Sequence, residues 1–331
     1  MLACVAAKGE DFAGEPYLLG TSVVNNGTSA TLPSRIHTAT QFLDFPGDFG
    51  DTKTFRVEAA TLPLFGDLSQ TWDGALGYAL DPRTHLNAFG QIVSTPDILE
   101  RPLLRGTYQD RLNDPGFRPN GCGGSCDILT DMVYLLSANI VRKYDWEFPR
   151  LDISSRPIPI EFSIGLSAKY FYEELWSDDY TAQNLNLDAG MAIKFLWGYN
   201  PVSKQSDRDI KIQFSGFELL PTKQQSDFGD VQVYEDMTYR WRMSVSWEEG
   251  LPSLGSTLSG GFTQKSEQGT IPGFGVEWDL KDMLFLRTGI DDDYISAGAS
   301  VAWRWISVHY AFRYHELATS LYQVSGQVTW P

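Results

Sequence analysis

The residues best equipped for chemistry are thinly spread along this 331-residue chain. Its four histidines, His37, His85, His309 and His315, form no His-x-x-x-His pair and join no cysteine, so a zinc hydrolase lacks its ligands. No Gly-x-Ser-x-Gly elbow, Walker loop or dinucleotide-binding glycine run is present. Asp291, Asp292 and Asp293 offer hard oxygen ligands for calcium, but their place between two apolar segments reads more simply as a solvated turn. Of the three cysteines, Cys122 and Cys126 enclose Gly123-Gly124-Ser125, which can bend far enough for a local disulfide, with free thiols as the alternative. Cys4 follows Leu2-Ala3, a damaged lipoprotein-like box, or else the region is the stub of a signal peptide. The expectation is a protein that is not an enzyme and has no cofactor and no metal site.

The charged residues acquire meaning only with the elements that carry them. From residue 161 onward, bulky apolar residues alternate with small or charged ones at period two, the signature of a strand with unlike faces. Phe162, Ile164, Leu166, Ala168 and Tyr170 share one face, against Ser163, Gly165, Ser167 and Lys169. Trp241, Met243, Val245 and Trp247 oppose Arg242, Ser244 and Ser246 in the same way, and Val308, Tyr310 and Phe312 oppose His309 and Arg313. Segments of this kind fall at 55–60, 74–80, 87–93, 132–143, 161–173, 183–195, 209–217, 238–247, 257–265, 272–280, 283–288, 295–303, 306–312 and 321–330. That is about fourteen, or twelve if the weakest are set aside; bacterial barrels need an even number.

Soluble sandwiches also alternate, so the period alone does not choose a compartment. Three features do. The segments commonly run ~9–12 residues, the length of a tilted strand crossing a bilayer. Aromatic residues gather at segment ends, with Trp197, Trp241, Trp247, Trp278, Trp303 and Trp330 as the expected interfacial girdle. The minor face is small or charged, as a watery or plugged lumen requires. Lys169, Asp188, Lys194, Lys211, Arg240, Arg242, Glu277, Arg287, His309 and Arg313 share that inward parity, and charges of both signs in a confined space are expected to pair in a salt-bridge network, with a ligand or ion route as the alternative.

The fold class expected is therefore all-β, a transmembrane antiparallel barrel in the bacterial outer membrane, its lumen plugged or lined by charged side chains. Residues 1–54 do not alternate and are expected to form a plug in the lumen, with an irregular arm or a mobile terminus as the alternatives; residues 55–331 form the barrel, with a long loop insertion at 94–131. Composition agrees: aromatics are 13%, Gly and Pro number 30 and 17, and no apolar run is long enough for a membrane helix. The net charge of -16 opposes nucleic-acid binding. Outer-membrane lipid is the expected surrounding, and the alternating strand from Tyr322 to Trp330, closing on an aromatic residue, has the form read by the barrel-assembly machinery, although Pro331 follows it.

Gly165-Leu-Ser-Ala-Lys-Tyr170 and Leu187-Asp-Ala-Gly190 resemble paired strands of the FadL superfamily of outer-membrane barrels, especially its PorV-like branch associated with type IX secretion. Gly273 to Trp278, Leu286 to Ile290, Ser307 to Phe312 and Ser320 to Trp330 are similar to the last four strands of that branch, so the likeness covers about half of the chain. The family's small-residue N-terminal segment with its Asn-Pro-Ala-Gly turn is missing, and Cys122 and Cys126 lie in an unexpected insertion. The resemblance implies a non-catalytic scaffold that binds partner proteins in an envelope complex, with a FadL-like channel for hydrophobic small molecules as the alternative. A soluble adhesive sandwich is the remaining reading.

Overall fold

The structure is a computed structural model that describes residues 22–26, 28, 35, 37–49, 55–64, 69–99, 128–148, 158–175, 180–199, 208–220, 223–228, 231–236, 239–251, 253–266, 271–291, 294–315 and 321–330. Cys4, Cys122, Cys126, Asp292 and Asp293 lie outside them. The described residues contain sixteen strands: β1 (Phe55–Leu64), β2 (Ser69–Asp81), β3 (Thr84–Leu99), β4 (Ile128–Phe148), β5 (Ile158–Leu175), β6 (Tyr180–Trp197), β7 (Arg208–Phe217), β8 (Lys223–Phe228), β9 (Val231–Asp236), β10 (Arg240–Leu251), β11 (Ser256–Lys265), β12 (Ile271–Leu280), β13 (Leu284–Ile290), β14 (Tyr294–Trp303), β15 (Ile306–His315) and β16 (Leu321–Trp330).

Fourteen of them close a barrel in which every neighbour is antiparallel. Each of β1 to β6 pairs with the next, β7 pairs with β10, the order continues to β16, and β16 returns to β1 with Phe55 opposite Trp330. The other two, β8 and β9, are a hairpin that pairs with the upper part of β6 and stands outside the ring. The sequence pattern gives no sign of this hairpin, because Lys223-Gln-Gln-Ser-Asp-Phe228 lacks the apolar alternation that only a bilayer-facing strand needs. The expected 94–131 insertion is also shorter, since β3 runs to Leu99 and β4 starts at Ile128.

Connections sort the two rims. β2–β3, β10–β11, β12–β13 and β14–β15 are joined by turns of two to four residues. At the β12–β13 turn Lys281 and Asp282 both take positive φ (60° and 54°), the left-handed geometry that matches a tight hairpin to strand twist. The same rim also carries β4–β5 and β6–β7, of nine and ten residues, and the opposite rim carries the longest connection, 28 residues between β3 and β4. Short turns mark the periplasmic rim of such barrels and long loops the outer one.

Polarity is inverted relative to a soluble protein. Outward residues are large and apolar and stand exposed, for example Leu136 (58%) and Leu185 (57%), whereas the inward Glu277 and His309 have no exposure at all. Left in water, that outer wall would expose apolar area all round the barrel, and hydrocarbon is the solvent that removes the penalty. Trp197, Trp247, Trp278, Trp303 and Trp330 are exposed on the outer face toward the turn rim, while the half-buried Trp241 starts β10 near the loop rim.

Candidate functional site: the plugged lumen

The described residues between 22 and 49 lie against the inner wall. A single helical turn, Val23–Asn26, sets Val23 on Ala60 of β1 and Ala311 of β15. Next comes the turn Gln41–Leu43, whose Phe42 packs with Ala39 on Ala75, Phe89 and Leu135 of β2, β3 and β4. The backbone at Pro46-Gly47 then touches the wall directly. Gly165 and Gly190 oppose each other on β5 and β6, and a Cβ on Gly165 would fall 1.7 Å from the Pro46 carbonyl oxygen. Only glycine leaves room for that approach. Two wall side chains hold the turn there: Ser163 Oγ donates to the Gly47 carbonyl at 2.6 Å, and Asn139 Nδ2 donates to that of Pro46 at 3.1 Å.

Charge ties the same segment to the other side of the lumen. Arg242 on β10 meets Asp44 at 3.2 Å, and its guanidinium lies 5.5 Å from the rings of Phe45 and Phe217. Lys211 on β7 pairs with Asp48. Burial alone would push the Asp48 carboxyl up, but the Lys211 ammonium, aided by His37 and Lys194, outweighs it and leaves the group below its ordinary value. Glu58 of β1 takes Thr40 N (3.1 Å) and Thr40 Oγ1 (2.9 Å) on one oxygen and Ser325 Oγ (3.0 Å) on the other. On β16, Gln327 accepts from Ala39 N and donates to the His37 carbonyl, both at 3.1 Å.

The ten inward residues singled out in the sequence fall into three groups rather than one site. Lys169–Asp188 (2.5 Å), Lys194–Asp209 (2.9 Å), Arg240–Glu218 (2.5 Å) and the two plug pairs of Lys211 and Arg242 belong to β5, β6, β7 and β10. Glu277–Arg287 (2.6 Å) lies on β12 and β13, where Arg287 also donates to Ser300, and His309 bridges Ser300 (2.8 Å) and Ser307 (2.9 Å). Arg313 and Lys265 face Asp291 at 4.0 and 3.2 Å near the loop rim. The Ser300–His309–Ser307 string has the residue types of a hydrolase. Its ring nitrogens are both taken by serines, no carboxylate among the described residues orients the imidazole, and the group is sealed from solvent, so it serves as a brace between strands.

Sequence reasoning missed Asp44, Asp48 and Glu58, because those on the plug carry no period and Glu58 lies in a weakly alternating strand. A signal existed: seven of the ten inward residues are cations and two are carboxylates, an imbalance that calls for acids from elsewhere in the chain.

The wall is also two-sided in polarity. On the β3–β6 side Phe89, Val93, Val133, Leu135, Phe171 and Ala182 are buried inward, whereas β10 to β16 present mostly serine, threonine, glutamine and charged groups. A strip of apolar wall thus rises beside the plug toward the loop rim.

No protein-family model matches the sequence, and no curated protein matches it. Solved structures do match. The Ralstonia pickettii toluene transporter TbuX superposes with a TM-score of 0.51 at 9% identity, over 95% of this chain and 99% of its own. The fold is that of a bacterial outer-membrane β-barrel. The barrel is also similar to the P. putida toluene transporter TodX (TM-score 0.47, 8% identity, 94% and 97% covered) and to a Pseudomonas aeruginosa FadL homologue (0.43, 9%, 94% and 98%).

Proposed function

We propose that this barrel is a plug-gated conduit for small hydrophobic molecules across the outer membrane. The observation that carries the reading is the apolar strip of β3–β6 with Phe42 of the plug seated at Ala75, Phe89 and Leu135. Phe42 seats on the lower end of this lane, and Val93, Val133, Phe171 and Ala182 continue it toward the loop rim in a lumen otherwise lined mostly by polar and charged groups. A small apolar solute gains from leaving water for such a lane at roughly 25 cal/mol per Å² buried, and it reaches the lane's lower end only when Phe42 moves. The test is entry of 1-N-phenylnaphthylamine into cells with an intact lipopolysaccharide leaflet. Expression of the full chain should speed entry, and Phe42→Asp, which loosens the seat, should speed it further. Entry rates that do not change with expression would sink the reading.

A second reading has one observation behind it. β4, β5 and β6 run to 21, 18 and 18 residues, well past the ~9–11 that a bilayer needs, and β6 carries the β8–β9 hairpin. Such a raised wall suits a non-catalytic scaffold of the PorV-like kind, in which partner proteins of an envelope complex dock at the outer rim. Stoichiometric co-purification of an envelope protein, lost when residues 223–236 are deleted, would favour it. In either case the strand from Tyr322 to Trp330 is the segment offered to the barrel-assembly machinery.

A further inference from the structure

On the lumen face of β2, Asp73 lies opposite Gln91 of β3, and Gln91 Nε2 donates to Asp73 Oδ1 at 2.9 Å. The other two acceptors of this pair, Asp73 Oδ2 and Gln91 Oε1, are buried and meet no donor among the described residues. Both side chains are more than nine-tenths buried, at 6% and 4% exposure. Two neighbouring buried acceptors without a donor are costly, the more so when one of them is charged. The contrast with Glu58 is informative. That carboxylate, one strand away, is fully occupied by Thr40 and Ser325, so the fold can satisfy a buried acid here when no ligand is needed.

The surroundings are apolar. Ala75 and Phe89 continue the inward faces of β2 and β3 one step toward the turn rim, Leu135 stands directly across from Gln91, and Val93 follows it toward the loop rim. A head that donates at least two hydrogen bonds, joined to an apolar body, matches both parts. A carboxylate head does not, since it brings only acceptors to a place already holding two open ones.

We infer that Asp73 and Gln91 form a lumenal subsite for the ammonium head of a small aliphatic amine, with the body of the ligand on Val93 and, once Phe42 has moved aside, on Leu135 and Phe89. This inference rests on the conduit reading and narrows its substrate class. An ammonium supplies the donors that both open oxygens lack and a charge that the Asp73 carboxylate offsets.

The test uses the full chain in nanodiscs of zwitterionic lipid, with octylamine, octanoate and 1-octanol as competitors of a bound 1-N-phenylnaphthylamine probe at neutral pH. Octylamine should displace the probe at least tenfold more effectively than octanoate, and Asp73→Asn should remove that preference, weakening octylamine far more than it weakens 1-octanol. Gln91→Leu should weaken octylamine several-fold. Equal displacement by amine and acid in the native chain, as a site holding water alone would give, overturns the inference while the conduit reading stands. Failure of the probe to bind at all overturns both.

Discussion

The contact between the plug and the wall glycines makes a quantitative demand. In Gly165→Ala the new methyl would start 1.7 Å from the Pro46 carbonyl oxygen, 2.7 Å from its carbon and 3.1 Å from Gly47 Cα. A carbon and a carbonyl oxygen settle at about 3.3 Å, so the plug backbone must withdraw by about 1.6 Å. Such a retreat draws the Pro46 and Gly47 carbonyls away from Asn139 and Ser163. Two hydrogen bonds at about 0.5–1.5 kcal/mol each put the loss near 1–3 kcal/mol, which raises the undocked population about 5–150-fold. The assay is single-channel recording in planar bilayers, with the frequency of open events as the readout. Gly326→Ala is the control, because a Cβ there meets nothing within 4 Å. Both variants should keep heat-modifiable migration, since neither touches a ladder bond. If Gly165→Ala opens no more often than Gly326→Ala, the plug is not held where the structure places it.

Three further outcomes are expected. Because Asp48 titrates lower in the folded protein than in the unfolded chain, its contribution is complete above the unfolded value of about 3.9 and disappears as pH falls through the lower folded value; open events should stay constant from about pH 8 to about pH 5 and rise only below about pH 4, and a rise near pH 6 would count against the Lys211–Asp48 tie. Glu277→Gln strips the charge partner from Arg287, whose side chain is 1% exposed, and should destabilise the barrel by about 3–5 kcal/mol in urea unfolding followed by tryptophan fluorescence; no change in midpoint would show the pair to be dispensable. Trp247 lies over its cross-strand partner Gly260, where a Cβ would come within 2.2 Å of the indole, so Gly260→Val should displace the ring and lower the unfolding midpoint, whereas Gly74→Ala, where a Cβ meets nothing within 4 Å, should not.

The barrel was legible because the bilayer imposes one rule on every spanning strand. Met243 must be apolar and Ser244 need not be, and this repeats fourteen times in the chain, so fold class and inward set follow from parity. Strand ends were less legible. β4 continues through Tyr144, Asp145, Trp146 and Glu147, where both faces are exposed and the alternation has no cause. The plug was legible only as a failure of the pattern. Its docking depends on Asp44 reaching Arg242 and on Pro46-Gly47 reaching a glycine pair, contacts between residues about 120 to 200 positions apart that no local spacing encodes. The pair of open acceptors was hidden for a different reason: Asp73 and Gln91 are unremarkable in sequence, and only the register of β2 on β3 sets them side by side.

The seam between β1 and β16 has a consequence for how the molecule is made. Phe55 and Trp330 stand side by side in the ring, so the wall is sealed by the strand made last closing on the strand made first. The plug precedes β1 in the chain, yet its partners are spread over β4, β5, β7, β10, β12 and β16. It must therefore be waiting inside a growing, open sheet before the seam joins, or be threaded afterward through a finished ring. With contacts of such long sequence separation, formation is expected to be slow, and the glycine pair on β5 and β6, present well before β16, gives the early segment a berth to hold while the rest of the wall curls around it.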